Sequence, residues 1–419
     1  MGPAGRLAIR LAVVVVLILG TVPAAIGPPS SERQRPVAAA KPSRPPEAPT
    51  TIPPSSGQVL TPPMSLDVAV GQMMAASFNG PQITPGLRHL ILDQKVGTVL
   101  IFSDNFTDAA SLGRLTSDLQ ALGQAAGLPA PLLVTLDEEG GLVMRLRDGV
   151  PSVPSELELG RSGPAGVRQA IGAMAGVLHR LGTELDLAPV ADLRTNPADA
   201  VIGNRSFGSD PAVVAPLVVA AVDGLHDGGV AATLKHFPGL GGQAGDPHRA
   251  MPEDPESLDQ WAATEARTFA AGIDAGADAV MTTALIAPGL DASRTPALFS
   301  RAIVTGLLRE RLHFQGVIVT DGLGMGGITA LYSLPDATVA AVLAGNDLVL
   351  LNSGDAAYED SAINAVKHAV LDGAIPLDQV EASAARVVAL RARWPRWAPT
   401  LIDAPAPPPT VDLAVGSKR

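Results

Sequence analysis

Short apolar runs alternate with alanine-rich, amphipathic stretches along most of the chain, and this alternation constrains the fold more than any other feature. The runs end in polar or glycine residues and occur at 97–103, 131–137, 185–192, 229–237, 277–285, 316–322 and 346–353, with an eighth candidate at 71–78. Continuous apolar strands that alternate with helices are typical of a parallel sheet covered by helices. About eight such units predict an α/β fold, a single (β/α)8 TIM-type barrel, with a doubly wound open sheet as the alternative.

The two ends of the chain lie outside this pattern. Arg6 and Arg10 precede a strongly apolar run, so residues 1–26 are predicted to be a signal peptide or, through residues 7–26, a membrane anchor. Residues 27–64 are rich in proline and are interpreted as a linker. The folded domain is then predicted at 65–399, followed by an irregular tail at 400–419. Either interpretation of the N-terminus predicts an exported protein, secreted or anchored to the cell envelope.

Composition excludes several classes of function. The net charge of −11 argues against nucleic acid as a partner, because nucleic-acid binding requires a basic surface. The chain has no cysteine, which excludes disulfides, thiolate metal sites and a cysteine nucleophile. The sequence does not determine the oligomeric state, for which a monomer is the favoured interpretation.

Polar side chains collect where the predicted strands end, at Asp137, Asp192, Lys235, His236 and Asp321. In both candidate folds the carboxyl ends of the strands form the active site, so these side chains are expected at one mouth. The acidic run 137–139 could also be a metal site, since hard cations prefer clustered oxygens. Strand alternation places its first and third acids on one side and the second on the other.

Two glycine-rich stretches imitate phosphate-binding motifs. Gly322–Gly327 reads "GLGMGG" after a predicted strand, as a dinucleotide-binding loop would. However, Asp321 directly before it would repel a pyrophosphate, and the next strand ends in Asn352 and Ser353 rather than in an acid. These glycines, and those of "GLGGQAG" at 239–245, are therefore interpreted as turn residues.

Asp246 and His248 stand two residues apart in the loop that follows the strand at 229–237. In an extended loop they point the same way, and a carboxylate beside an imidazole fixes its tautomer and favours its protonated form. The pair could therefore move a proton, although a loop histidine on its own is usually a solvated side chain. Gly239, Gly241, Gly242 and Gly245 would let the loop swing.

Five separated motifs, in this order, give the chain a family resemblance. They are "DEEGGLVMRL", "APVADLRTNP", "VIGNRSFGSDP", "LKHFPG" with a following "DPH", and "VIVTDGLGM". Together they resemble the bacterial family 3 glycoside hydrolases, specifically the β-N-acetylglucosaminidases, over about residues 66–394. The resemblance also favours the barrel over the open sheet.

The resemblance implies a role for each matching residue. Asp321 would be the nucleophile, and His248 with Asp246 the acid/base dyad. The residues that would bind the sugar are Asp137, Arg145, Arg205, Lys235 and His236. No metal or organic cofactor is implied, because a retaining glycosidase needs a carboxylate beneath the anomeric carbon and a proton donor at the leaving oxygen.

The expected function is therefore that of a retaining β-N-acetylglucosaminidase that acts on peptidoglycan-derived carbohydrate. One alternative is a related family 3 β-glucosidase or glycoside phosphorylase. The sequence departs from the usual family pattern at a handful of positions, namely Leu142, Met144, Leu240, Gly242, Gln243 and Ala284. Three of them, Leu240, Gly242 and Ala284, suggest a second alternative, a non-catalytic binder of muropeptides in the cell envelope.

Overall fold

The structure is a computed structural model that describes residues 64–196, 198–199, 201–243 and 245–394. The predicted export segment, residues 27–63 of the predicted linker, and everything beyond residue 394 lie outside the described residues. Within these ranges no helix combines the length and the apolar character that crossing a bilayer requires.

Strands and helices alternate along the described chain. The strands are β1 (Met74–Ala76), β2 (Thr98–Leu100), β3 (Leu133–Leu136), β4 (Glu138–Gly140), β5 (Val143–Met144), β6 (Leu185–Asp186), β7 (Ala231–Phe237), β8 (Ala279–Thr282), β9 (Val317–Thr320) and β10 (Val349–Leu350). The α-helices are α1 (Leu66–Gln72), α2 (Pro85–Leu92), α3 (Ala109–Ala125), α4 (Glu156–Leu159), α5 (Gly163–Arg180), α6 (Pro211–Asp227), α7 (Leu258–Ala263), α8 (Glu265–Asp274), α9 (Gly326–Thr329), α10 (Leu334–Ala344), α11 (Ala356–Leu371) and α12 (Leu377–Arg393). Short 3-10 helices occur at Gly160–Ser162, Gly203–Arg205 and Ala297–Phe299, and a π-helix at Ala302–Arg311.

Eight strands form one parallel sheet in the order β10-β1-β2-β3-β6-β7-β8-β9. Each of these strands lies beside its neighbour along the chain, and a parallel bridge between Val319 and Leu348 connects the two ends of the order. A doubly wound sheet would instead reverse its order at a switch point. The result is a nearly closed, barrel-like sheet that is consistent with a TIM-type barrel, and each predicted apolar run contains one of its strands.

Several helices begin after a residue whose side chain caps the first turn. Asp108 caps α3 by accepting a hydrogen bond from the Ser111 amide, while the Ser111 hydroxyl lies 3.0 Å from the Asp108 amide. Such reciprocal capping satisfies amide groups that the first helical turn leaves without partners. Ser65, Thr84 and Ser333 cap α1, α2 and α10 in the simpler one-sided way.

The inside of the sheet is filled by apolar side chains, as expected of a barrel with a packed core. These include Leu100, Leu187, Met281 and Leu350. Val387 and Leu390 of α12 belong to the same cluster, and Trp394 packs against it. Arg391 donates to the carbonyls of Ala130 and Pro131, just before β3 begins. Helix α12 therefore covers the mouth formed by the amino ends of the strands and leaves the opposite mouth open.

Candidate active site

A cavity of about 200 Å³ opens at the carboxyl ends of the strands, where the sequence predicts the site. Seven of the eight predicted site residues line it: Asp137, Arg145, Arg205, Lys235, His236, His248 and Asp321. The eighth, Asp246, lies behind His248 and contacts its ring. The structure therefore brings together side chains that are up to 184 residues apart in the sequence.

A small hairpin that the apolar pattern did not predict carries one side of the cavity. Strands β4 and β5 pair in antiparallel fashion and are joined through Gly140 and Gly141, whose φ angles are +99° and +58°. These left-handed conformations favour glycine. The hairpin returns Arg145 to Asp137, with 2.7 Å between Nη2 and Oδ2. The Arg145 guanidinium also lies over the Phe102 ring, 5.4 Å from its centroid.

Alternation along the acidic run is confirmed. Asp137 and Glu139 both face the cavity, whereas Glu138 points away and accepts hydrogen bonds from the amides of Arg145 and Leu146 at 2.7 and 3.1 Å. Glu138 is fully buried, and this burial raises its pKa to about 7. It therefore serves as a support for the hairpin behind the cavity.

Lys235 links the two cavity-facing acids. Its Nζ lies 2.8 Å from Asp137 Oδ1 and 2.6 Å from Glu139 Oε1, and the residue is only 1% exposed. Arg205 binds Glu139 in a two-pronged geometry, with Nε 2.8 Å from Oε2 and Nη2 2.7 Å from Oε1. Paired donors of this kind form the stronger class of charged hydrogen bond. Two acids and three bases thus form one connected network.

The network keeps its members ionised. Burial alone would raise the pKa of both acids, but the neighbouring cations outweigh it. Lys235 and Arg145 hold the pKa of Asp137 well below its usual range, and Lys235 and Arg205 lower that of Glu139 to about 2. Burial would lower the pKa of Lys235, yet the two carboxylates raise it. The cavity is therefore lined by permanently charged side chains. The carboxylates can accept hydrogen bonds from hydroxyl groups, and the basic side chains can donate to them.

The ion pairs made by Asp137 and Glu139 bear on the metal site considered for the acidic run 137–139. The acids that the sequence placed together already contact Lys235, Arg145 and Arg205. Within the described ranges no group of three or more histidine or acidic residues has the geometry to hold a metal ion. The acidic run is consequently part of an ion-pair network.

His236 is positioned by Asp192, a buried residue six positions after β6 ends. Asp192 Oδ2 lies 2.7 Å from His236 Nδ1 and also accepts from the His236 amide at 3.1 Å. The tautomer with its hydrogen on Nδ1 leaves Nε2 to accept from Arg205 Nη2, 3.3 Å away. The pairing of β7 with β8 shifts register between Leu234 and Phe237, and this irregularity lets the consecutive Lys235 and His236 both face the cavity.

Asp321 directly follows β9 and is half-buried. Its Oδ2 accepts from the Thr283 hydroxyl at 2.9 Å, and its Oδ1 accepts from the Gly322 amide at 2.8 Å. It does not cap a helix, because the next helix begins at Gly326 with Met325 at the capping position. The carboxylate is thus held from behind and faces the cavity.

His248 reaches the same cavity from the long loop after β7. Its Nδ1 lies 2.9 Å from Asp246 Oδ1, which also accepts from the His248 amide at 2.9 Å. Burial opposes ionisation of Asp246, but the hydrogen bonds from His248 lower its pKa. The imidazole side chain is 65% exposed, and its second nitrogen is not engaged by Asp246. The pair therefore has the connectivity of a proton-transfer dyad.

Two of the positions that depart from the family pattern, Leu240 and Gln243, make hydrogen bonds within the chain. The Leu240 amide donates to Asp192 Oδ1 at 2.7 Å, and the Gln243 side chain donates to the Leu240 carbonyl at 2.6 Å. Both residues hold the start of the loop. Gly239 and Gly241 do so as well, since a Cβ there would lie 2.5 Å from Glu265 Cγ and 2.1 Å from the Leu193 carbonyl oxygen. Both glycines therefore also permit close packing, and Gly239 has a φ of +139°, a conformation that favours glycine.

Three site residues were not assigned a role from the sequence. Glu139 and Asp192 were noted only for their placement, and their buried partners lie far away in the chain. Asn352 lines the cavity beside Gly322 with a φ of +45°, an uncommon conformation for a residue other than glycine. A backbone of this kind at a strand end is a signal of function that only the structure provides.

Comparison with known proteins places the chain among carbohydrate-active enzymes. Residues 65–390 match the glycosyl hydrolase family 3 N terminal domain. A β-hexosaminidase of Stenotrophomonas maltophilia is 37% identical over 303 residues, which are 70% of this chain and 87% of that protein. A β-hexosaminidase of Methylobacillus flagellatus is 38% identical over 272 residues, which are 63% of this chain and 76% of that protein.

Solved structures agree with these relatives. A family 3 β-N-acetylglucosaminidase from Paenibacillus superposes with a TM-score of 0.78 at 36% identity, and the match covers 81% of this chain but only 65% of that one. A β-N-acetylhexosaminidase from Beutenbergia cavernae gives a TM-score of 0.74 at 32% identity, covering 79% of this chain and 99% of that one. The resemblance predicted from five sequence motifs is confirmed, and this chain belongs to the glycoside hydrolases of family 3.

Proposed function

We propose that this chain is a retaining β-N-acetylglucosaminidase that removes terminal β-linked N-acetylglucosamine. The observation that carries the proposal is that Asp321 and the Asp246–His248 dyad reach the same cavity as the charged network of Asp137, Arg145, Arg205, Lys235 and Glu139. A carboxylate and a proton donor beside a set of hydrogen-bonding charges are the parts that a retaining glycosidase needs.

In the proposed reaction the Asp321 carboxylate attacks the anomeric carbon while the bond to the leaving oxygen breaks. The His248 imidazolium donates its proton to that oxygen, and a glycosyl ester on Asp321 results. In the second step the neutral imidazole takes a proton from water as the water attacks the same carbon. This releases the sugar, regenerates the Asp321 carboxylate and restores the imidazolium.

The network around Lys235 supports the binding half of the proposal. Charges that are already paired and buried need no reorganisation when a sugar enters, so they can orient hydroxyl and acetamido groups at little cost. Because the basic groups are already engaged by Asp137 and Glu139, the frame suits an uncharged sugar. The names of the similar enzymes, β-hexosaminidase and β-N-acetylglucosaminidase, point to the same sugar.

The test uses aryl N-acetyl-β-glucosaminides and the variant Asp321→Asn. We expect this variant to fold and to lose turnover, and we expect mass spectrometry of the wild type to find a glycosyl adduct on Asp321. Near-normal turnover of the variant would refute the assignment. Comparing products with and without phosphate separates hydrolysis from phosphorolysis, and tight sugar binding without any turnover would instead identify a non-catalytic binder.

We extend the proposal to location and natural substrate. Residues 1–26 have a basic flank and an apolar run, and such a segment directs export. An exported enzyme of this specificity would meet peptidoglycan fragments. Fractionation of cells that express the full chain, together with N-terminal sequencing, tests export and cleavage, and recovery in the cytoplasm would contradict it.

A further inference from the structure

The motif "GLGMGG" keeps no role in the proposed chemistry, yet its last two glycines contact the loop that carries the dyad. The Gly326 amide donates to the His248 carbonyl oxygen at 3.2 Å, and the Gly327 amide donates to the Pro247 carbonyl oxygen at 2.9 Å. From Gly245 to Met251, these are the backbone hydrogen bonds that connect the loop to the rest of the described chain. Pro247 is buried at this contact.

The contact is too close to admit any side chain. A Cβ on Gly326 would lie 2.4 Å from the His248 carbonyl oxygen and 3.2 Å from its carbonyl carbon. A Cβ on Gly327 would lie 2.7 Å from the Pro247 oxygen and 3.0 Å from the Ala250 carbonyl carbon. All of these are backbone atoms, so no flexible side chain can move away to make room.

Glycine is needed here for space rather than for conformation. Neither Gly326 nor Gly327 has a φ in the left-handed region, so alanine could adopt the same backbone. An alanine substitution would therefore act by pushing the loop away. This separates the two positions from glycines whose replacement would strain their own backbone.

The loop's backbone decides where the proton donor stands. The His248 ring is held by Asp246 on its own loop and is largely exposed, so its place relative to the sugar follows from the position of Pro247 and His248. The segment on the other side is fixed, because the Asp321 amide donates to the Thr282 carbonyl at 2.7 Å and the Leu323 amide to the Leu350 carbonyl at 2.9 Å.

We infer that Gly326 and Gly327 form a docking surface that positions His248 relative to Asp321. The segment after β9 then begins with the nucleophile, Asp321. Five residues later it provides the docking surface, which starts at Gly326. The inference rests on the proposed function, since it assigns these glycines a positioning role in that reaction. They do not touch the reacting atoms.

The test compares Gly326→Ala with Thr329→Ala, an exposed position on the same short helix. A displacement of about 1 Å can reduce a rate on the order of 100-fold, so we expect Gly326→Ala to lower kcat by about 10- to 100-fold on a glycoside with a poor leaving group. An activated aryl glycoside should lose much less, because it does not need the acid. KM should change little, and Thr329→Ala should resemble the wild type.

A double-mutant cycle with His248→Ala makes the result specific. If the glycine acts through the acid, adding Gly326→Ala to His248→Ala costs little more than His248→Ala alone. Equal losses on good and poor leaving groups, or losses that multiply in the double variant, would overturn the inference. So would a Gly326→Ala enzyme with the wild-type leaving-group dependence.

A measurement on the unaltered protein covers the case in which the variants do not fold. Docking predicts that the amide hydrogens of Gly326 and Gly327 exchange slowly with solvent, and free exchange would overturn it. Failure of the proposed function gives a different pattern, namely no turnover by the wild type on any aryl glycoside. In that case the exchange measurement still decides whether the loop docks.

Discussion

Replacing Glu139 by glutamine should cost the protein about 3 kcal/mol of unfolding free energy at neutral pH. The carboxylate is 1% exposed and is the common partner of Lys235 and Arg205. Its pKa is lowered from 4.5 to about 2, which corresponds to about 3 kcal/mol at 1.36 kcal/mol per unit. Removing one partner of a buried ion pair typically costs a similar ~3–5 kcal/mol, because the remaining charges stay buried.

The sign of the pH dependence gives a second check. A carboxyl whose pKa is lowered by folding contributes stability above its unfolded pKa and loses it as the pH falls through the folded value. The difference between wild type and Glu139→Gln should therefore be complete above pH 5 and shrink toward about pH 2. Urea unfolding followed by fluorescence of the buried Trp261 measures it.

The matched control is Glu253→Gln, the same substitution in the exposed ion pair with Arg294. Exposed pairs contribute little to stability, so this variant should lose much less than Glu139→Gln. Two results would refute the conclusion that buried ion pairs of Glu139 stabilise the fold. One is an equal urea midpoint for the two variants, and the other is a loss of unfolding free energy in Glu139→Gln that does not change with pH.

Three further outcomes follow from the site. His248→Ala should slow glycosides with poor leaving groups far more than activated ones, and equal losses in a leaving-group series would show that His248 is not the acid. Asp192→Asn should raise KM, because one amide oxygen replaces the two carboxylate oxygens that accept from His236 and from the Leu240 amide, and an unchanged KM would contradict this. Glu138 has a pKa raised to about 7 by burial, so its stabilising contribution is complete below about pH 4.5 and is lost as the pH rises through 7. Glu138→Gln keeps an acceptor for the amides of Arg145 and Leu146 and should show a smaller fall in Tm between pH 5 and 8 than the wild type, whereas an equal fall would contradict this account.

The barrel strands were predictable because each is a continuous apolar run that ends in polar residues. Sequence also located the mouth, since Asp137, Lys235 and Asp321 mark the carboxyl ends of three strands. The β4–β5 hairpin was not predictable, because its strands are two and three residues long and consist of acids, glycine and a few apolar residues. Such a segment has no apolar period to detect.

Long-range pairing accounts for the rest of what sequence could not provide. The placement of Glu139 beside Asp137 followed from alternation, but its bonds to Lys235 and Arg205 depend on which strands become neighbours. Gly326 and Gly327 were interpreted from the sequence as turn residues, but they form the first two positions of α9. They contact the loop of His248, which lies 78 residues earlier in the sequence. A contact between segments so far apart cannot be predicted from a local sequence pattern.

The packed interior of the barrel determines how a polymeric substrate could be used. Leu100, Leu187, Met281 and Leu350 belong to the inner cluster and also line the base of the cavity, while α12 covers the opposite mouth. A chain of sugars therefore cannot thread through the molecule. Only an end can enter, and each released sugar must leave by the way it came before the shortened chain can advance.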